Sequence, residues 1–211
     1  MTQDDTTRMF DRWAANGYSM NMQRAHTWSV TKFLESVDFA PNFSILDVGC
    51  GNGWVVRRLA GMDSCRSAVG IDPSSRMIEL AQSRKKSGKE RYHVIGIESV
   101  ASERFDYAFS MESLYYVRSV DAAVRRIYEL LEPGGSFFCG TDFYAENKAT
   151  AVWAKRHPVQ MHLLSRNQWV DIFRNAGFET TTTQICNDRS NLKWMREYGT
   201  LFIIGKRPEH T

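Results

Sequence analysis

From about Phe43 to Thr141, short runs rich in β-branched and aromatic residues alternate with segments whose apolar positions recur every three or four residues. That alternation predicts βαβ units on a parallel sheet. Ser44–Val48, Ala68–Asp72, Tyr92–Ile97, Phe105–Met111 and Ser136–Thr141 read as strands one to five, each bounded by Gly, Asp or Ser. Between strands four and five, Val120, Val124, Ile127 and Leu131 fall on one helical face, which Glu132-Pro133-Gly134-Gly135 brings to an end. Two helices precede the sheet and are expected to cover it. One runs from about Asp4 to Asn16; the other buries Val30, Phe33, Leu34 and Val37 before Pro41. Near the C-terminus Ser165-Arg166-Asn167-Gln168 fits a capping box, Trp169, Ile172, Phe173 and Ala176 form the apolar stripe, and Gly177 ends the helix. Glu179–Cys186 and Thr200–Lys206 follow as strands with no helical segment between them, so they are expected to run antiparallel. The expected fold is α/β: a doubly wound, mostly parallel seven-stranded sheet with one antiparallel strand and N-terminal covering helices.

No internal repeat or linker interrupts this pattern, and 211 residues suit one domain. Within it, residues 1–40 are expected to form a helical lid and 43–141 the core. The insert over 145–164, with Trp153, His157, Met161 and His162, is a second expected lid, over substrate. Apolar residues make up 43% and charged residues 24%, which places the chain among globular proteins. A balance of 27 basic to 24 acidic residues leaves +3, too little to indicate nucleic acid. Cys50, Cys65, Cys139 and Cys186 form no Cys-x-x-Cys pair, so no metal site is expected, and their apolar neighbours suit reduced, buried thiols. The charged N-terminus is unlike a secretion signal and no apolar run nears the roughly 18 residues of a membrane span. A cytoplasmic location is therefore expected. The pattern favours no oligomeric state.

Chemistry enters at Ile45-Leu46-Asp47-Val48-Gly49-Cys50-Gly51-Asn52-Gly53-Trp54, a buried strand running into a glycine-rich turn and then a helix. Glycine permits left-handed backbone, and its missing Cβ lets a ligand lie against the main chain near helix N-terminal amides. A dinucleotide fingerprint would place its third glycine where Trp54 stands. The spacing is instead Asp-x-Gly-x-Gly-x-Gly. Asp72 ends the second strand at the separation from this turn where a carboxylate reaches the ribose of an adenosine cofactor.

This segment closely resembles the first motif of class I methyltransferases, which have a Rossmann-like fold and use S-adenosylmethionine. Arg104-Phe105-Asp106-Tyr107-Ala108-Phe109-Ser110-Met111 resembles the family's fourth-strand motif, and Leu130-Leu131-Glu132-Pro133-Gly134-Gly135 its turn into strand five. Phe10-Asp11-Arg12-Trp13-Ala14 with Tyr18 resembles the lid of small-molecule members such as the ubiquinone and menaquinone biosynthesis enzymes. The resemblance implies that Asp47, Gly49, Cys50, Gly51 and Gly53 serve the methionine end, that Asp72 and Pro73 serve the ribose, and that Met111 and Tyr18 border the cofactor. Many relatives carry Gly-Asp-Ala after strand three, with the Asp on the adenine. This chain reads Gly96-Ile97-Glu98, so either Glu98 substitutes or main-chain groups at Ile97 and Glu98 hold the ring.

Acceptor contacts are expected from loops beyond the carboxyl ends of the strands: Glu112-Ser113-Leu114-Tyr115-Tyr116 and Asp142-Phe143-Tyr144. Since a sulfonium already activates its methyl group, alignment and exclusion of water can supply about 7–11 kcal/mol, and no base is obligatory. Glu112, Tyr115, Tyr144 and His162 are the catalytic candidates, and His157 is a weaker one. His26, inside the second helix, reads as structural. The basic run Arg84, Lys85, Lys86, Lys89 and Arg91 suits the solvated end of a helix. The expected reaction is methyl transfer to the O, N or C nucleophile of a small molecule. RNA or protein acceptors are the first rivals, and nucleic acid is disfavoured because strand four ends in Ser110-Met111-Glu112-Ser113, unlike the motif of amino-methylating nucleic-acid enzymes. A non-catalytic protein that binds S-adenosylmethionine is a further alternative, and Trp54 weighs against a nicotinamide oxidoreductase.

Overall fold

A computed structural model describes residues 3–156, 159–187 and 196–209. Seven strands form one sheet: β1 (Phe43–Val48), β2 (Cys65–Asp72), β3 (Glu90–Val94), β4 (Phe105–Met111), β5 (Leu131–Thr141), β6 (Thr180–Cys186) and β7 (Thr200–Lys206). Their order is β3-β2-β1-β4-β5-β7-β6. All neighbours are parallel except at β7, which runs antiparallel to both β5 and β6. The seven-stranded sheet with one reversed strand is as the hydrophobic pattern predicts. The order in which strands are added reverses between β1 and β4, where such sheets open a crevice beyond their carboxyl ends.

The helices are α1 (Gln3–Ala15), α2 (Tyr18–Glu35), α3 (Trp54–Ala60), α4 (Ser75–Ser83), α5 (Val120–Leu130), α6 (Trp153–Arg156) and α7 (Arg166–Ala176). Both sheet faces are covered, which is why every position of β1 is buried. On one face Phe33 of α2 stacks on Phe202 of β7, 4.0 Å between ring centres. On the other, Phe173 of α7 stacks on Phe137 of β5 at 5.0 Å. The predicted capping box of α7 is present, and Gly177 caps its end at φ 108.

Several boundaries shift by one to three residues, as at β2, which begins at Cys65 rather than Ala68, and two further differences have a clear cause. Ile97 lies in a short 3-10 turn, Ile97–Ser99, because β3 is an edge strand whose one neighbour, β2, ends at Asp72 opposite Val94. Leu131 leaves the helix for extended backbone, φ −84 and ψ 147, and pairs with Phe105. Glu132 to Gly135 then bulge out, with Gly134 at φ 78, before pairing resumes at Ser136. Of the basic run after α4, Arg84 reaches the Met20 sulfur, Lys89 reaches the Met62 carbonyl and Arg91 pairs with Glu103 at the surface, while Lys85 and Lys86 are exposed. All four cysteines are buried free thiols. Among the described residues no helix is long and apolar enough to cross a membrane.

Candidate active site

The three glycines of the β1–α3 turn all have positive φ, but each is needed for a different reason. A Cβ on Gly49 would sit 2.3 Å from the Ser113 Cβ, so this glycine lets the β4 loop cross the turn. A Cβ on Gly53 would meet the Tyr92 ring at 2.7 Å, so this one lets α3 pack against β3. Gly51, at φ 52, has nothing within 4 Å of its missing Cβ, which faces open space. The turn is fastened to β2, because the amides of Gly49 and Cys50 both donate to the Ile71 carbonyl, at 2.9 and 3.0 Å.

Two carboxylates flank this turn. Asp72 accepts hydrogen bonds from the Gly51 amide at 3.0 Å and the Ser74 amide at 2.8 Å, and burial pushes it up to about 6. Asp47 is 3% exposed and has no hydrogen-bond partner among the described residues. Burial, with the neighbouring charge of Asp72, pushes it up to about 8. The N-terminal helices are tied down over the turn. Asn52 donates to Gln23 of α2 at 3.1 Å, and Asp11 of α1 accepts from the Ser74 hydroxyl at 2.6 Å.

A second polar cluster stands where β4 and β5 end. Glu112 takes the left-handed conformation, φ 54, that non-glycine residues rarely adopt. Its carboxylate accepts from the Tyr115 hydroxyl at 2.7 Å and from the Asp142 amide. Burial, then the charge of Asp142, pushes Glu112 up to about 7. Asp142 is fully buried, and its Oδ2 lies 3.2 Å from Nδ1 of His26 on α2. Burial works against protonation of His26, and the bond and charge of Asp142 outweigh it, raising the imidazole above its usual value. A ring nitrogen of His26 and a carboxylate oxygen of each of Glu112 and Asp142 all lie within 4.8 Å of one another.

Both clusters open on one cavity under α1 and α2. Of the residues expected to bind cofactor, Asp47, Gly49, Cys50, Gly51, Asp72, Pro73, Ile97, Glu98 and Met111 line it. Gly53 stands behind the wall against Tyr92, and Tyr18 is exposed, tilted against Trp13 outside the cavity. Glu112 and Tyr116 face the cavity, whereas Tyr115 packs beneath it with its hydroxyl on Glu112. Tyr144 is buried elsewhere, donating to the Tyr198 carbonyl at 2.8 Å. The ring of His162 is held on the Val117 carbonyl at 2.9 Å, and His157 lies outside the described residues. The 145–164 insert closes on itself through the Ala145 amide and the Leu164 carbonyl, and none of its described residues reaches the cavity. From the N-terminal helices, Thr6, Phe10, Ser19, Met22, Gln23 and His26 line it. Sequence reasoning missed Asn52 and Gln23, and read His26 as structural. The spacing His26, Val30, Phe33 already set that histidine on the buried face of α2.

These features fit a cationic adenosine cofactor: an unpartnered buried carboxylate suits an ammonium group, and the space at Gly51 admits a ligand against the main chain. A family model described as a methyltransferase domain matches residues 8–183. The chain belongs to this family. Its methyl donor is S-adenosylmethionine. The methyltransferase is 33% identical over 155 residues to a tRNA U34 carboxymethyltransferase of Vibrio vulnificus, covering 69% of this chain and 47% of that protein. It is 33% identical over 105 residues to the mitochondrial ubiquinone biosynthesis O-methyltransferase of Rattus norvegicus, covering 46% of this chain and 30% of that one. The chain spans about half the length or less of these curated relatives. In structure it is similar to a chain of the complex between the Haloferax volcanii Trm112 methyltransferase activator and the putative methyltransferase. The TM-score is 0.89 with 23% identity, covering 94% of this chain and 97% of that one.

Proposed function

We propose that this methyltransferase transfers the methyl group of S-adenosylmethionine to the nucleophile of a small molecule held in the cavity beneath α1 and α2. When bound, the cofactor supplies an electrophilic methyl group on its sulfonium. Asp47 pairs with the ammonium of the methionine end, Asp72 accepts the ribose hydroxyls, and Gly51 gives main-chain access. Main-chain groups at Ile97 hold the adenine edge, and residues 1–40 act as the cover that excludes water. The unpartnered buried carboxylate of Asp47 on the cavity wall carries the cofactor assignment. The enclosure of the acceptor end, where Glu112 and His26 are only 5% and 8% exposed, favours a small acceptor.

A second reading, transfer to tRNA, is favoured by the names of the Vibrio relatives. Against it, three cations of the basic run, Arg84, Lys89 and Arg91, already have partners in this chain, which leaves only the exposed Lys85 and Lys86 of that run for a phosphate backbone. Calorimetric titration with S-adenosylhomocysteine, run beside NAD, tests the cofactor. Binding of the first and not the second is expected, with at least about a tenfold loss in Asp72→Ala, because bonds to a charged group contribute about 1.5–3 kcal/mol each. Preferential NAD binding would overturn the assignment. Incubation with methyl-labelled donor then separates the acceptors: label in a metabolite extract supports the small-molecule reading, and label in total tRNA replaces it.

A further inference from the structure

We propose that His26 is the general base of this transfer, positioned by Asp142, and that the acceptor is therefore an O–H or N–H group that must lose a proton to react. The inference rests on the methyltransferase reading above. It begins with an anomaly of burial. Asp142 is 0% exposed and neither carboxylate oxygen has a hydrogen-bond partner among the described residues; the group beside it is the His26 ring, whose Nδ1, itself without a hydrogen-bond partner, lies 3.2 Å from Oδ2, at ion-pair distance. A charge so enclosed is costly unless a neighbouring cation or proton meets it, and a buried ion pair is seldom retained for stability alone.

The backbone that carries Asp142 is also held in place. Its carbonyl accepts from the Asn147 side chain at 2.9 Å and the Thr150 hydroxyl at 2.6 Å, and its amide donates to Glu112. In the Nδ1–H tautomer, neutral His26 turns its proton toward the Asp142 carboxylate 3.2 Å away. The lone pair is then on Nε2, which has no partner among the described residues, in a side chain that lines the cavity. Nucleophile activation by an imidazole oriented in this way needs nothing further.

The step balances. The acceptor's X–H proton passes to Nε2 as the X–CH3 bond forms; the carbon–sulfur bond breaks and its electron pair stays on sulfur. Asp142 stabilises the imidazolium, which returns its proton to water once the product leaves. The titratable groups facing the ring are Asp142 from the end of β5 and Glu112 from the end of β4, with the Tyr115 hydroxyl and the Cys139 thiol behind Glu112. Both facing groups are acids, so the base stays protonated to a higher pH than a free imidazole, and an acceptor that is neutral or cationic at this end is favoured over an anionic one.

The test is nitrogen NMR of the histidine side chains in protein saturated with S-adenosylhomocysteine. Expected are the Nδ1–H tautomer at His26 and an ionisation above the ordinary imidazole value, moved down by about one pH unit or more in Asp142→Asn. With an acceptor found by the labelling experiment, kcat should rise with pH through the same ionisation. His26→Gln should then lower kcat by roughly 10²–10⁴ with a smaller change in KM. S-adenosylhomocysteine affinity should stay within about twofold in both variants, by the same separation of cofactor binding from proton transfer. An Nε2–H tautomer, or an ionisation indifferent to Asp142→Asn, overturns the base while leaving the cofactor reading intact. Failure of the wild type to bind S-adenosylhomocysteine overturns that reading instead. Calorimetric binding of Mg²⁺, Mn²⁺ or Zn²⁺ that is lost in Asp142→Asn also overturns the base, since Nδ1 would then hold a metal in place of a proton.

Discussion

The two polar ends of the cavity occupy equivalent places, each beyond the carboxyl ends of two neighbouring parallel strands, yet they are built from different material. Beyond β1 and β2 the wall is main chain: a left-handed glycine turn, amides aimed at Asp72, and one buried acid left without a partner. Beyond β4 and β5 it is side chain: Glu112 in strained backbone, Asp142 clamped at both main-chain atoms, and a histidine contributed by α2. A main-chain wall recognises what is common to every cycle of an enzyme, the cofactor. A side-chain wall can change without loss of the fold and so suits the acceptor.

The sharpest way to break this contrast is to add one methyl group at two places in the same turn. Gly49→Ala combines left-handed strain with a Cβ 2.3 Å from Ser113. It should destabilise the protein by about 2–4 kcal/mol, measured by urea unfolding. Gly51→Ala meets no neighbour and should cost only about 1–2 kcal/mol from backbone strain. It should nonetheless weaken S-adenosylhomocysteine at least about tenfold, because its Cβ occupies the ligand's side of the turn. Equal stability losses with unchanged affinity would mean that the open space at Gly51 is not where the cofactor lies.

Asp47 gives the next largest effect and one with a sign. Burial and the charge of Asp72 push its carboxyl up to about 8, far above the ordinary aspartate value, so the free protein keeps this proton at neutral pH. The unfolded chain releases it, and Asp47 therefore erodes stability as pH rises from about 4 to 8 and not beyond. An ammonium bound beside it favours the carboxylate. S-adenosylhomocysteine binding at pH 7 should then release close to one proton, read from the dependence of the calorimetric enthalpy on buffer ionisation. Affinity should strengthen from pH 6 to 8. Asp47→Asn should abolish the proton release and raise the melting temperature at pH 8 while weakening binding.

The same contrast explains what the sequence made legible. The glycine turn, Asp47 and Asp72 are read from contiguous or regularly spaced residues, because a strand, a turn and a helix start are local structures, and all but Gly53 line the cavity as expected. The strands were legible for the same reason, with errors where a long-range fact decides: β3 ends early for want of a second neighbour, and Leu131 is drawn into β5 by Phe105. The end beyond β4 and β5 was legible only in part. Glu112 and Asp142 lie on loops that the topology of any such sheet singles out. Their partner His26 is brought to them by α2 crossing from the far N-terminus, a placement fixed by Phe33 on Phe202 and Asn52 on Gln23. Spacing along the chain carries no record of that crossing. His162, a catalytic candidate by residue type alone, has its ring on the Val117 carbonyl, a contact that chain spacing does not reveal either.

The cover over both ends yields the smaller effects. Asn52→Ala removes bonds to Gln23, to the Ser19 carbonyl and from the Trp54 amide, and should loosen α2 at a cost of about 1–2 kcal/mol and less than about tenfold in affinity. Tyr18→Ala should do least. This residue follows Gly17, at φ 79, where α1 gives way to α2, and its ring touches Trp13 at 4.8 Å on the outside of the cover. Loss of that contact should cost about 0.5–1 kcal/mol in stability and leave S-adenosylhomocysteine affinity within about twofold. A tenfold loss would carry a specific meaning: the joint at Gly17 closes further when the cofactor binds and turns Tyr18 inward. The resemblance to small-molecule enzymes would then extend to the lid, and the main-chain end of the cavity would have a side-chain wall of its own.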